Sequence, residues 1–329
     1  MPANLTPQYK EAEKRYKQAT NLPARIAALH EMMAVVPKHK GTDHLRADLR
    51  SRMSRHLADL EKPKATSGGG PQPFSLRKDG AGQALIIGLP NSGKSELLSA
   101  LTGATTKVGD YPFTTQIPQV GMLPYENVYT QLVDTPSLND RDIQTRLFGL
   151  LRNADLILVT VDLSGNPMQE IMEIKRILSE WGYELLPKGS SYDPEALKIQ
   201  KSTILVANKS DVTGSCARYN DLKTEYWDTY PLVKISCLDG SGLEELSRLV
   251  FLGLGKIRVY TKSPSGSADF DQPIILINGS TIADAAERLH KDWKTKLRYA
   301  LLWGSSKFDG QRIGRDYPLR DGDVIELHS

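Results

Sequence analysis

The sequence predicts an α/β protein in which a mainly parallel sheet with helices on both faces is preceded by a helical hairpin and followed by a small α+β module. Three observations predict it. Short apolar runs alternate with amphipathic helical patterns from residue 83 to about residue 255. A glycine-containing octet stands between the first of those runs and a helix-forming stretch. The segments before residue 83 and after about residue 256 differ from this rhythm in period and composition.

The 329 residues are too many for one ordinary domain and suit a medium domain with appendages. No apolar run approaches the roughly 18 residues that would span a bilayer. Residues Met1 to Arg15 are polar and charged, without the apolar centre of an export signal. A soluble, cytoplasmic protein with no membrane partner is therefore expected. Two cysteines, Cys216 and Cys237, build no disulfide framework and read as idle thiols. The six histidines are scattered, so no structural metal is expected.

Residues 1–61 form the first region. From about Pro7 to Glu61 the only glycine is Gly41, and Leu45, Leu49, Met53 and Leu57 recur every four residues, a helical period. The stretch Val36 to Thr42, with Pro37 and Gly41, breaks it and predicts two antiparallel helices. Residues 1–64 carry 13 Lys/Arg against 7 Asp/Glu, although the whole chain is only +3. Such an arm suits a polyanion, the alternative being a solvated helical face. Residues 62–82, with Gly68, Gly69, Gly70, Pro71 and Pro73, read as a flexible linker.

The central domain, residues 83–255, places buried strands at Ala84–Gly88, Val128–Val133, Asp155–Val161, Thr203–Ala207 and Leu232–Ile235. Covering helices are predicted at Met168–Trp181 and Leu243–Leu254. Residues 256–329 change character again. Strands at Ile257–Thr261, Ile274–Asn278, Tyr299–Trp303 and Val324–His328 surround a helix starting near Thr281, and a turn at Tyr317–Asp323 feeds the last strand as in small β-grasp modules.

The chemistry starts at Gly88-Leu89-Pro90-Asn91-Ser92-Gly93-Lys94-Ser95, a complete phosphate-binding loop in its strand–helix setting. Gly88 and Gly93 let backbone N–H groups wrap a phosphate chain, with Asn91, Ser92 and Glu96 completing the loop and first helical turn. Lys94 should reach the β- and γ-phosphates, and Ser95 should offer its hydroxyl to Mg²⁺. Asn208-Lys209-Ser210-Asp211 directly follows a strand and selects guanine. Asp211 can accept from the guanine N1–H and exocyclic amine, donors adenine lacks; Lys209 packs its stem on the ring, and Asn208 braces the loop. Asp134, in Asp134-Thr135-Pro136-Ser137, stands where a second Mg²⁺ carboxylate belongs, and Ser236-Cys237 where a backbone amide would cap guanine O6. Thr114 and Thr115 lie in a segment long enough to be a switch loop, with Thr115 the expected γ-phosphate-dependent Mg²⁺ ligand. Lys94, Thr115 and Asp134 are thus the expected catalytic set and GTP or GDP the ligand.

Taken in order, Gly88–Ser95, Tyr111–Thr115, Asn208–Asp211 and Ser236-Cys237 resemble the Obg-related GTPases, and most of all the developmentally regulated GTP-binding (DRG) type, whose members end in a TGS domain like the tail from about Lys256. The resemblance covers nearly the whole chain. It implies a translation-linked GTPase hydrolysing GTP with Mg²⁺, touching ribosome or RNA through arm and tail, with a dedicated protein partner beside them. Lys291, Lys294, Lys296 and Arg298 around Trp293 and Tyr299 suit RNA, or simply form a solvated helix end. The sequence also departs from the family pattern. Ser137 replaces the hinge glycine of the Asp-x-x-Gly motif, and Leu138 stands where Ras-like enzymes keep a water-orienting glutamine, so slow turnover is expected. Leu185 to Gln200 is too short for the subdomain inserted in DRG proteins. Asn91 suggests a K⁺ ion held against the phosphates, unless it merely shapes the loop. A non-hydrolysing guanine-nucleotide scaffold is the alternative function.

Overall fold

The computed structural model describes residues 7–19, 22–36, 42–61, 74, 76–103, 118–139, 141–264, 266–290 and 292–328. By proximity the chain divides into two compact units, one of residues 1–77, 84–121 and 132–243, the other of 78–83, 122–131 and 244–329. Among the described residues no helix is long and apolar enough to cross a membrane.

In the first unit the arm contains three helices, α1 (Pro7–Gln18), α2 (Leu22–Val35) and α3 (Asp43–Glu61), where the sequence predicted a hairpin of two. The periodicity ran on across the interruption after Gln18, which no glycine or proline marks at residues 19–21. Their shared core is Tyr9, Leu29, Met32, Met33 and Leu49, with Leu197 of the central domain packed against it. Arg50 pairs with Glu195 at 3.6 Å, and the His30 ring lies so close to Gly182 that a Cβ there would stand 2.9 Å from Nε2. The arm is therefore seated on residues 182–197. Part of its basic charge is answered within it, by the pairs Arg15–Glu31, Lys17–Glu13 and Arg52–Asp48.

The central sheet is built from β1 (Gln83–Gly88), β2 (Gln119–Tyr125), β3 (Val128–Asp134), β4 (Leu156–Asp162), β5 (Tyr183–Leu186), β6 (Ile199–Asn208) and β7 (Leu232–Lys234) in the order β2-β3-β1-β4-β6-β5, with β7 also on β6. Pairings β1–β4, β4–β6, β5–β6 and β6–β7 are all parallel. Strands β1 and β4 are buried almost throughout, as expected of strands covered on both faces. Helices α4 (Lys94–Thr102), α5 (Arg141–Asn153), α6 (Pro167–Glu180) and α7 (Ser215–Tyr226) supply the cover, and the core runs through Leu85, Val133, Leu147, Ile157, Ile171 and Leu205. Two strands escaped the sequence reading: β2 alternates poorly and contains Gly121 and Pro124, and β5 is only four residues long. Only residues 187–198 join β5 to β6.

The second unit holds α8 (Leu243–Gly253, from Glu244 onward) and a five-stranded sheet of β8 (Lys256–Lys262), β9 (Ala268–Ile277), β10 (Tyr299–Trp303), β11 (Gln311–Ile313) and β12 (Asp323–His328), ordered β11-β10-β12-β8-β9. Against it lies α9 (Ile282–Leu289), started by Thr281 and Asp284 in a reciprocal capping box. Ile257, Val259, Ala285, Ala300, Leu302 and Ile325 form its core. In the same unit the β2–β3 turn is held to β8 and β9: Glu126 pairs with Arg258, and Asn127 Nδ2 donates to Tyr260 Oη and to Phe270 O, each at 2.7 Å.

Candidate nucleotide-binding site

The site lies at the carboxyl ends of β1, β3, β4 and β6, where a parallel sheet opens a crevice for ligands. The turn after β1 is tight enough to exclude a side chain at Gly88, since a Cβ would meet Thr160 O at 2.5 Å and Ser92 Oγ at 2.6 Å. Gly93 adopts φ +84, and a Cβ there would stand 2.2 Å from Asn208 Nδ2. Asn91, at φ 64, is one of three described non-glycine residues in the left-handed region. Ser92 is buried and its Oγ donates to Leu89 O at 3.0 Å. Lys94, the first residue of α4, donates from Nζ to that same carbonyl at 2.9 Å. Glu96 is exposed in the first turn.

Ser95 Oγ donates to Asp134 Oδ2 at 2.5 Å. Asp134 is fully buried, and among the described residues its Oδ1 has no hydrogen-bond partner. Burial raises the Asp134 pKa, opposed by the Ser95 hydroxyl and by Lys94. Burial likewise lowers that of Lys94, opposed by Asp134 and Glu170. An orphaned carboxylate oxygen beside a serine hydroxyl, with a buried lysine close by, is a donor set that fits a divalent cation. Beyond β3, Thr135 Oγ1 donates to Ile86 O at 2.8 Å, Ser137 Oγ is buried with no partner among the described residues, and Leu138 is 0% exposed within the central core. Leu138 is therefore a member of the central apolar core. Thr114 and Thr115 lie outside the described residues, as do Lys291 and most of the linker.

Asn208 joins the two halves of the site. Its Nδ2 donates to Ser92 O at 3.1 Å, and its Oδ1 accepts from Lys209 N at 2.8 Å and from Cys237 Sγ at 3.4 Å. Lys209, at φ 63, reaches back with Nζ to Asn91 O at 2.8 Å and to Asp162 Oδ2 at 2.6 Å. Asp211 is exposed, and its Oδ1 accepts from Ser236 Oγ at 2.7 Å.

Of the two amides in Ser236-Cys237, that of Ser236 is already engaged, which leaves the cap of guanine O6 to the Cys237 N–H. The Ser236 amide donates to Ser241 O at 3.0 Å, and its hydroxyl both fixes Asp211 and accepts from Leu238 N and Asp239 N, so it orders the loop and the carboxylate instead of presenting its N–H to a base. Cys237 is half-buried, and burial pushes its thiol up to about 12, which leaves it protonated and unreactive.

Two residues escaped the sequence reading. Asp162 ends β4, and the parallel register sets it beside Asn208. Its amide donates to Glu170 Oε2 at 3.1 Å. Burial raises the Asp162 carboxyl, but hydrogen bonds from Lys209 and Ser164 outweigh it and hold the group below its usual range. Burial pushes Glu170 up to about 7. The available signal was a carboxylate closing the strand next to the run Asn208–Asp211.

This arrangement defines a GTP-binding protein of the P-loop GTPase class. The family described as 50S ribosome-binding GTPase matches residues 83–209, and the TGS domain family matches residues 257–329. The chain is a homologue of the developmentally regulated GTP-binding (DRG) proteins and carries a TGS domain. It is 28% identical to an uncharacterized GTP-binding protein of Methanocaldococcus jannaschii, covering 92% of this chain and 91% of that one. It is 27% identical to Developmentally-regulated G-protein 3 of Arabidopsis thaliana, covering 92% and 97%. That second alignment extends over 365 residues, more than the 329 of this chain, so the relative holds residues with no counterpart here. A solved GTP-binding protein from Pyrococcus horikoshii OT3 shares the fold at a TM-score of 0.53 and 18% identity, covering 75% of this chain and 99% of that one.

Proposed function

We propose that this protein hydrolyses GTP to GDP and phosphate with Mg²⁺ and acts as a slow nucleotide-dependent switch on ribosome or RNA. The observation that carries the reading is the Ser95–Asp134 hydrogen bond with the orphaned Asp134 Oδ1 beside it, because a protein that only held the base would have less need of such a pair. Ser95 and Asp134, with Thr115 from the switch segment, would hold the Mg²⁺, and Lys94 would lie along the β- and γ-phosphates. When bound, the ion neutralises charge developing on the phosphate oxygens. Asp211 reads the guanine edge, Lys209 lies along the ring, and Asn208 ties both to the phosphate loop. Gly88, Asn91, Ser92, Gly93 and Glu96 shape that loop, while Ser236 and Cys237 complete the base side.

The ribosome or RNA assignment rests on the description of the matched family, the TGS domain and the basic arm, with a dedicated protein partner following from the DRG likeness. Leu138, sunk in the core, cannot orient the attacking water. That observation keeps a second reading in play, a guanine-nucleotide scaffold that does not turn over. A K⁺ ion at Asn91 would compensate for the missing glutamine, while the left-handed backbone at Asn91 favours a purely loop-shaping role.

The deciding experiment is hydrolysis of GTP and ATP by the purified protein with Mg²⁺, in KCl and in NaCl, with and without ribosomes, beside Lys94→Ala. GTP-selective turnover lost in Lys94→Ala establishes the enzyme, and acceleration by ribosomes establishes the partner. Binding without turnover under every condition establishes the scaffold. Equal rates in KCl and NaCl dismiss the potassium site.

A further inference from the structure

Lys209 Nζ has two anchors, the Asn91 carbonyl of the phosphate loop and the Asp162 carboxylate of a different strand. The carbonyl alone would leave a flexible four-carbon stem with a single hydrogen bond. The carboxylate adds a charge-assisted one at 2.6 Å, with the lysine and aspartate side chains only 29% and 14% exposed. Asp162 is itself held from two sides, since its Oδ1 accepts from Ser164 N at 2.6 Å and its amide is fixed by Glu170 of α6. Its position is thus set before any ligand arrives.

We propose that Asp162 is a positioning residue for guanine-nucleotide binding: it fixes the Lys209 stem as a shelf for the purine ring and ties that shelf to the phosphate loop. The inference rests on the GTP-binding reading of the site. It also makes a prediction opposite in sign to simple electrostatics. Deleting a negative charge close to a phosphate loop should, by Coulomb attraction alone, tighten an anionic ligand. Loss of the shelf should loosen it, and for GDP and GTP alike, because the γ-phosphate plays no part in holding the ring.

The test measures equilibrium binding and dissociation of fluorescent GDP and a fluorescent non-hydrolysable GTP analogue. The proteins are wild type, Asp162→Ala, Asp162→Asn, Lys209→Met and the Asp162→Ala/Lys209→Met double variant, each melted without nucleotide to confirm folding. Asp162→Ala should bind both nucleotides about tenfold more weakly, chiefly through faster dissociation. Asp162→Asn keeps the shape and a neutral acceptor, so it should fall between and serves if the alanine variant does not fold. In the Lys209→Met background, removing Asp162 should cost nothing further. Unchanged or tighter binding by the folded Asp162 variants, or additive losses in the double variant, overturns the proposal. Failure of the wild type to bind any guanine nucleotide would instead remove the reading on which it stands.

Discussion

Gly93→Ala isolates one contact on which both halves of the site depend. At φ +84 an alanine pays roughly 1–2 kcal/mol for the left-handed backbone. Its Cβ would also stand 2.2 Å from Asn208 Nδ2, so Asn208 must move, and the bond to Ser92 O goes with it at about 1 kcal/mol. The two effects total about 2–3 kcal/mol, a loss in nucleotide affinity of about 30- to 150-fold if the native loop is the binding-competent one. Gly103→Ala is the control. It has φ +67 at the end of α4 but open space around a Cβ, so it should lower stability by roughly 1–2 kcal/mol and leave binding intact. Fluorescent-nucleotide titrations and thermal melts of the two variants check both halves. Gly93→Ala binding within threefold of wild type, or Gly103→Ala losing as much, would refute the role given to Asn208.

Asp211→Asn removes a charged acceptor of two hydrogen bonds, so GTP affinity should fall by about 10- to 100-fold while a xanthine nucleotide, with a carbonyl in place of the amine, should gain; competition binding reads both. Leu138→Gln should not raise turnover, because the side chain enters the core, and should instead destabilise by about 2–4 kcal/mol in denaturant unfolding. The raised Glu170 pKa, from 4.5 to about 7, means that the folded state binds its proton more tightly, so this group's contribution to stability falls as pH rises across that window. Glu170→Gln should therefore gain in melting temperature relative to wild type between pH 4.5 and pH 7. In the second unit Arg258 is buried against Asp321 and Glu126, and Arg258→Ala should cost about 3 kcal/mol, the lower end for a broken buried pair because both carboxylates keep solvent access.

Much of the molecule was legible in the sequence because its determinants are local. The octet Gly88–Ser95 combines a backbone that only glycine enters freely with a lysine and serine at a helix start, and each of those demands is met within eight residues. The run Asn208–Asp211 follows an unbroken apolar strand, and Thr281 with Asp284 carries its own helix cap. By itself, then, the sequence determined the strand–helix rhythm, the glycine-bearing turn between β1 and α4 and the tail's α+β character. Tertiary structure alone decided what strand register and packing bring together. Asp162 meets Lys209 because β4 lies in parallel register with β6, a pairing across 47 residues that no local pattern encodes. Ser236 gives its hydroxyl to Asp211 and withholds its amide because the following loop folds back to Ser241. Leu138 faces the core because the chain after Asp134 turns its side chain inward, and the arm rests on residues 182–197 because its apolar stripe finds Leu197 there. Local chemistry chooses which groups a segment can offer; the long-range burial of apolar surface chooses which of them face the ligand.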